Sequence, residues 1–582
     1  MDDTGAETPS MTAGQGELLR RSALAAAGFV FVCLIGAMLV PARCCMPLQT
    51  SLLVFGQDLW LVVALFAVTI GILLAPDRTV RLWQPGPRGI AAIALGIVVL
   101  AYVGRRLVLE DVDLVRDEQM VGFDAWIYAH GRLAWPLPQF WRDHVDALGS
   151  TFLYPEVHPV AWVSTYLPGN ALLHAAVGHF ADPGLTNPLL AGGSAALLWS
   201  CAGKIWPAER EVRSVVLLVL VLSGQFLFAA MTTWAMTAHL FFNLLWLRLF
   251  LADRRGTDAA ALVVGFYATG LHQLLFHPLF VAPFLLLLLT QGRWMRLVPY
   301  AAAYAAIGLF WLNWPHLIQP LIAGPAGASG LTAPAAGFAD RLLGALAGNT
   351  DTLPLTAANL LRFVTWNHLA LLPLMFAAWP AVRRGGLPMA LALGIALPIV
   401  IVAVILPWQG YGFGYRYLHP VLGNAALLAG YGWCAVAELG QRLRQALVVA
   451  SAGAALLVLP LQTVMAHQVV IASAQADRTI QASGADYALI NTRDGFGYGN
   501  IVYNRPNLSN RPIRLFADQV PDHARLAARI CRPGVTVAMP VNSFFRAGTR
   551  NSRVTPFETA DATLAKLRRP YEAAGCRIAL LR

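Results

Sequence analysis

The stretch GIAAIALGIVVLAYVGRRLVLEDVDLVRDEQMVGFDAWIYAHGRL, residues 89–133, decides the reading of this chain. Its first part is apolar for long enough to cross about 30 Å of hydrocarbon. It runs directly into acidic residues: Asp117 and Glu118 stand side by side, with Asp124 one heptad further on. A hydrophobic span that ends in a carboxylate-rich loop is the unit to be explained.

The same alternation recurs along the chain. Of 582 residues, 57% are hydrophobic and only 13% charged, and the mean hydropathy is +0.58. Those values exclude an ordinary soluble domain and predict a polytopic membrane protein. The formal net charge of +11 does not predict a nucleic-acid partner, because Lys and Arg sit in pairs between apolar runs rather than in one stripe. The first apolar run, after Arg20 and Arg21, is too long for a signal-peptide core and reads as a retained helix.

Windows of spanning length predict about thirteen transmembrane helices, near 22–43, 52–75, 89–109, 186–206, 212–230, 237–252, 258–272, 277–291, 297–313, 363–381, 387–406, 418–437 and 446–466. Short loops on one side carry Arg20/Arg21, Arg78/Arg81/Arg88, Lys204/Arg210/Arg213, Arg254/Arg255, Arg293/Arg296, Arg383/Arg384 and Arg442/Arg444. The alternate loops are nearly bare, with Arg43 and Arg416 as exceptions. By the positive-inside rule the N-terminus is cytoplasmic and the C-terminus outside. Three large segments then fall on the outer side: 110–186, 313–362 and everything after His467.

After His467 the composition changes. YALIN, IRLFA and VTVAM have strand character, and DHARLAARI and ADATLAKLRRPYEAAG have helical periodicity. The expected organisation is an all-α membrane core over 1–467, including the outer loop 110–186 with helices at the membrane surface, followed by a small periplasmic α/β domain over 468–582. Only Cys531 and Cys576, of seven cysteines, share a soluble region, so a disulfide between them is expected if the compartment is oxidising. The Gly/Ala-rich IAGPAGASGLTAPAAG reads as a mobile loop, and NTRDGFGYGN as a Gly/Asn turn.

No Walker-type loop is present, and the basic connectors are too short to hold a nucleotide. Chemistry is therefore expected outside. In the first outer loop, helical spacing puts Asp117, Val121, Asp124 and Tyr128 on one face. A carboxylate there either accepts a proton from a bound hydroxyl or, with Glu118, merely caps the helix. In PWQGYGFGYRYLHP, residues 407–420, Arg416 and His419 sit where a helix enters the membrane. The guanidinium either serves a lipid phosphate or anchors the helix at head-group level. His272 and His277 in LHQLLFHP, and Glu156 with His158 in YPEVHP, lack metal-ligand spacing. They are candidates for substrate contacts at most.

Asp117-Glu118, YAHGRL at 128–133, TYLPGN at 165–170 and GYRYLHP at 414–420 follow one another in that order. Together they resemble the GT-C superfamily of integral-membrane glycosyltransferases, in the branch of protein O-mannosyltransferases and the aminoarabinose transferase of lipid A. Leu167 stands where the family usually has the first of two prolines. The resemblance covers about residues 90–440 and leaves out the C-terminal segment.

It implies inverting transfer of a sugar from a polyprenyl-phosphate donor to an envelope glycan, lipid or protein acceptor at the outer face of a bacterial cytoplasmic membrane. It also implies Asp117 as general base with Glu118 assisting. Asp124, His158, Tyr166, His272, His277, Arg416, Tyr417 and His419 are then the substrate-binding candidates, among membrane lipids. No metal site is read from the sequence and no cofactor is required, although a divalent cation is compatible with such chemistry. A transporter or lipid flippase is the alternative; it predicts ionisable residues within the membrane and related halves. A non-catalytic scaffold is a third.

Overall fold

A computed structural model of the chain describes residues 8–40, 51–327, 352–490, 500–541 and 561–581. Arg43, Cys44, Cys45, most of the Gly/Ala-rich loop and nearly all of NTRDGFGYGN lie outside the described residues. Helices dominate, as expected, and a parallel sheet occupies the C-terminal part. Among the described residues seven helices are long and apolar enough to cross a membrane: Gly14–Met38, Leu52–Leu74, Pro87–Leu107, Trp294–Gly324, Leu387–Ile405, Arg416–Leu439 and Gln441–Ala482. The pair Arg210–Val221 and Gly224–Ala230, bent by 59°, makes up to eight.

The remaining expected spans are also helical. Thr186–Ile205, Ala235–Phe250, Arg255–Thr269 and Phe276–Thr290 match four of them. The segment expected at 363–381 is broken into the end of Thr352–Thr365, then Leu371–Ala377 and Trp379–Arg383. Pro373 and Pro380 begin or interrupt these short pieces, since proline cannot donate to a helical ladder. This is an integral membrane protein.

The chain divides into two compact units. One comprises residues 1–104, 184–312 and 335–465, the other 105–183, 313–334 and 466–582. In the first unit helices approach closely where a side chain is missing. A Cβ on Gly432 would lie 1.8 Å from the Leu374 carbonyl oxygen, so Leu422–Val436 packs directly on Leu371–Ala377. Lipid supplies no hydrophobic drive between helices, and close packing of this kind replaces it.

The same unit holds a buried ion pair. Arg362 donates to Asp58 Oδ2 at 2.8 Å, to Gln57 at 3.2 Å and to the Gly412 carbonyl at 2.6 Å. Thr365 and the Trp366 indole donate to the other oxygen of Asp58.

Among the described residues the second unit contains two small sheets. Strands β1, Trp135–Pro136, and β2, Ala161–Trp162, pair antiparallel within the first outer segment. Strands β3, Tyr487–Ile490, β4, Ile513–Phe516, β5, Thr536–Pro540, and β6, Arg577–Leu581, form a parallel sheet in the order β4-β3-β5-β6. β6 was not expected from the sequence. His523–Ile530 links β4 to β5, and Asp561–Ala573 lies between β5 and β6, where helices were expected.

Parallel strands must be covered on both faces, and side chains alternate between them. Leu489, Ile513, Leu515, Val537 and Met539 enter a core with Phe123, Ile127, Trp141, Leu148, Leu153 and Trp162. Ala488, Ile490, Phe516 and Ala538 enter a second core with Ala476 and Ile480. The first core is thus shared between the C-terminal sheet and residues of the first outer segment. The Phe516 amide seals the joint by donating to the Ala147 carbonyl at 2.7 Å.

Cys531 and Cys576 form a disulfide that closes a loop over a sequence separation of 45. Cross-links of this kind contribute about 2–4 kcal/mol, chiefly by restricting the unfolded chain. Cys531→Ser is expected to lower the melting point of this unit, and reduction of the parent protein should reproduce the shift. Equal melting with and without reductant would show that the bridge contributes nothing.

Candidate active site

The candidate residues fall in two groups, one on each unit. On the second unit, the Arg116–Ala129 helix begins after a sharp turn in which Glu110 and Asp111 adopt positive φ. Arg105 gathers that turn, contacting Asp111 at 2.7 Å and Asp113 at 3.1 Å.

The helix start is closed by Glu118. Its Oε2 accepts from the Leu114 amide at 2.9 Å and the Val115 amide at 3.2 Å, satisfying donors near the start that have no helical acceptor. Burial pushes its pKa up, Asp113 adds to the effect, and Arg105 with the two amides opposes it. Arg116 pins the same turn by donating to the Val502 carbonyl at 3.0 Å and to the Gly149 carbonyl. Nothing in the sequence pointed to Arg116 as a positioning residue.

Asp124 is fully enclosed. The Ser164 amide donates to Oδ1 at 3.0 Å and the Ser164 hydroxyl to Oδ2, fastening the helix to the strand region that follows β2. Burial raises its carboxyl to about 7, while the two Ser164 bonds pull downward. Between about pH 4, where an unfolded Asp ionises, and pH 7, the folded protein keeps a proton that the unfolded chain releases. Stability therefore falls as pH rises across that window. Asp124→Asn preserves the shape and removes the titration, so its melting point is expected to be flatter than the parent's between pH 4 and 7. A parallel decline in both proteins would remove Asp124 as the cause.

Asp117 differs from both neighbours. It is the one acidic residue of this helix that is not buried, and Tyr166 Oη donates to its Oδ1 at 2.7 Å. Tyr166 is itself placed by its surroundings. Its ring packs on Phe152 at 5.4 Å, its amide reaches Ser164 Oγ at 3.2 Å, and Phe152 accepts from the Thr165 amide while holding φ of 65°. A non-glycine residue in the left-handed region costs about 1–3 kcal/mol, which the packing around it must offset. The candidate base and Tyr166, 49 residues apart, are thus brought together. His158 is not with them: it is exposed and contacts Asp143 at 3.3 Å.

On the first unit, the loop before Arg416 is held from two directions. Arg362 grips the Gly412 carbonyl, and Gln225 donates to the Tyr415 carbonyl at 2.8 Å and accepts from its amide at 3.1 Å. Gly414 has φ of 76°, and a Cβ there would lie 2.4 Å from Gln225 Oε1. Only glycine fits that conformation at that distance. Arg416 lies over the rings of Trp234 and Tyr417, 5.4 Å from each centroid, and its amide donates to Gln409 at 2.9 Å. Such stacking orients a guanidinium, a group whose fork suits an oxyanion. Tyr417 in turn stacks on Phe276.

His277 is fully engaged. Asn243 Nδ2 donates to the Pro420 carbonyl at 2.9 Å, so its Oδ1 takes the His277 Nδ1 proton at 2.7 Å. Nε2 then accepts from Tyr304 Oη at 2.9 Å. His419 is completely buried, and neither ring nitrogen has a hydrogen-bond partner among the described residues. The same holds for His239, which lies within electrostatic reach of His272, His277 and His419. His239 and Gln225 were missed because each sits in an apolar helix with no motif around it. Among the described residues no group of three or more His, Cys, Asp or Glu is arranged to hold a metal ion.

No family model and no curated protein matches the chain. Solved structures do. ArnT from Cupriavidus metallidurans bound to undecaprenyl phosphate aligns over 85% of this chain and 90% of its own, at 12% identity and a TM-score of 0.48. The same protein in the apo state aligns over 71% and 84%, at 13% identity and a TM-score of 0.41.

Proposed function

We propose that this chain is a membrane glycosyltransferase that moves a sugar, with inversion, from a polyprenyl-phosphate-linked donor to an acceptor hydroxyl. The observation that carries the reading is the contrast along one helix. Glu118 and Asp124 are spent on structure, whereas Asp117, in the motif position, is accessible and aimed by Tyr166. In the proposed step the acceptor oxygen attacks the anomeric carbon as Asp117 takes its proton. The bond to the phosphate oxygen breaks, and the lipid phosphate leaves with the electron pair. Glu118 acts by fixing the helix start.

Arg416 is proposed to bind phosphate, a role for which a preorganised guanidinium is suited. Arg416→Ala is expected to weaken binding of a polyprenyl phosphate at least tenfold with little change in melting temperature. Equal affinity in the variant would remove the assignment. The donor reaches the site from the side opposite to nucleotide sugars in this scheme, with the N-terminus cytoplasmic and the C-terminal unit outside. The Cys531–Cys576 bridge supports that orientation, because disulfides persist in oxidising compartments.

The buried Asp58–Arg362 pair favours a transporter, since intramembrane charges often mark ion paths. Asp58 Oδ2 accepts from Arg362, which also holds the loop before Arg416, and Oδ1 accepts from Thr365 and Trp366. A structural tie accounts for it.

A further inference from the structure

The Arg116–Ala129 helix carries Asp117 and Asp124 on one side; Gln119, Gly122, Phe123 and Trp126, on another, line a cavity of about 640 Å³ within the second unit. That volume falls inside the range of about 300–1,000 Å³ typical of small-ligand sites. The far wall is the segment 503–514, which supplies Tyr503, Arg505, Ser509 and Arg511.

The charges can be accounted for one by one. Asp113 is matched by Arg105 at 3.1 Å, and Arg514 by Asp477 at 2.5 Å. Arg511 donates only to the carbonyls of Leu508 and Asn510, and for the Arg505 guanidinium there is no hydrogen bond or ion pair among the described residues. The exposed Arg505 and Arg511 side chains therefore border a cavity that also offers the Ser509 hydroxyl and the Trp126 ring, while Arg514 lies over the Tyr503 ring, 4.4 Å from its centroid.

The wall is preorganised. Asn510 donates to the Pro512 carbonyl at 2.7 Å and to Asn504 at 3.0 Å, and accepts from the Arg505 amide at 2.9 Å. Trp162 donates its indole proton to the Pro506 carbonyl at 2.9 Å. A loop already fixed in this way loses little conformational freedom when a ligand arrives.

We infer that this cavity binds an acidic oligosaccharide, with its carboxylates or phosphates on Arg505 and Arg511 and a sugar face on Trp126. Guanidinium forks suit planar or tetrahedral anions, and aromatic faces suit the apolar side of a pyranose better than an extended peptide. If the transfer reading above holds, this is where part of the acceptor is held; the binding itself does not depend on turnover.

The test uses the full-length protein in detergent with tetragalacturonic acid as probe and maltotetraose and tetraglutamate as comparisons, read by calorimetry and tryptophan fluorescence. The acidic saccharide is expected to bind at least tenfold more tightly than either comparison, with affinity falling as salt rises. Arg505→Ala with Arg511→Ala should lose at least tenfold, and Arg505→Glu, which breaks no bond of the loop, should lose as much. Asp117→Asn should leave the affinity unchanged, so loss of transfer and loss of this site are separable. Equal binding of maltotetraose, tighter binding of tetraglutamate, no binding of the acid, or undiminished affinity in Arg505→Glu overturns the proposal.

Discussion

Asp117→Asn is expected to reduce sugar transfer by about 10²–10⁴-fold, the range a positioned general base contributes. The substitution keeps the planar shape, and the side-chain oxygen still accepts from Tyr166 Oη, so the helix and the 165–166 segment should stay in place. Basicity alone is removed. Donor binding and melting temperature are therefore expected to match the parent while the chemical step fails. Asp124→Asn supplies the internal comparison, because its carboxyl is enclosed by Ser164 and touches no space a substrate enters. An Asp117→Asn enzyme that transfers sugar at the parent rate would end the assignment. Equal losses in both variants would point to helix placement rather than to a base.

Arg362→Ala is expected to destabilise the first unit by about 3–5 kcal/mol, the usual result of leaving one buried charge without its partner. Asp58 would keep its Thr365 and Trp366 bonds but lose its counter-charge, and Gln57 and the Gly412 carbonyl would lose a donor each. Arg362→Lys should fare nearly as badly, since a single ammonium cannot reproduce the forked geometry. Replacing both members by apolar residues, as in Asp58→Leu with Arg362→Met, should recover much of the melting temperature while leaving the 409–416 loop without its clamp. Thermal unfolding in detergent separates these cases. A single Arg362→Ala change that melts with the parent would show that water or lipid reaches the pair.

How far the sequence could be read depended on the range of the forces involved. Apolar runs declare themselves locally, so every expected span meets a helix or a run of broken helices. Alternation and β-branched residues likewise marked β3, β4 and β5. β6 escaped because CRIALLR is short, follows a helix closely and becomes a strand by pairing with β5. The motif residues Asp117 and Tyr166 were legible, as was their order. What was not legible is what each carboxylate bonds to: Glu118 accepts from two amides just before it, but Asp124 accepts from Ser164, 40 residues away. Asp58 and Arg362 are 304 positions apart, and nothing in either neighbourhood announces the other.

The core shared by the first outer segment and the C-terminal sheet has a consequence for how the protein is made. Phe123, Trp141, Leu148 and Trp162 are synthesised early, yet the strands that cover them arrive well over 300 residues later. At about 5–20 residues per second, that apolar surface stays open for tens of seconds. Contacts of such long sequence separation form slowly and leave the waiting surface prone to wrong partners. A chain cut before the sheet would carry this exposed face permanently. Nascent-chain crosslinking should accordingly find the 120–163 segment in the hands of chaperones until β3 to β5 emerge, and a C-terminal truncation would report on aggregation before it reported on catalysis.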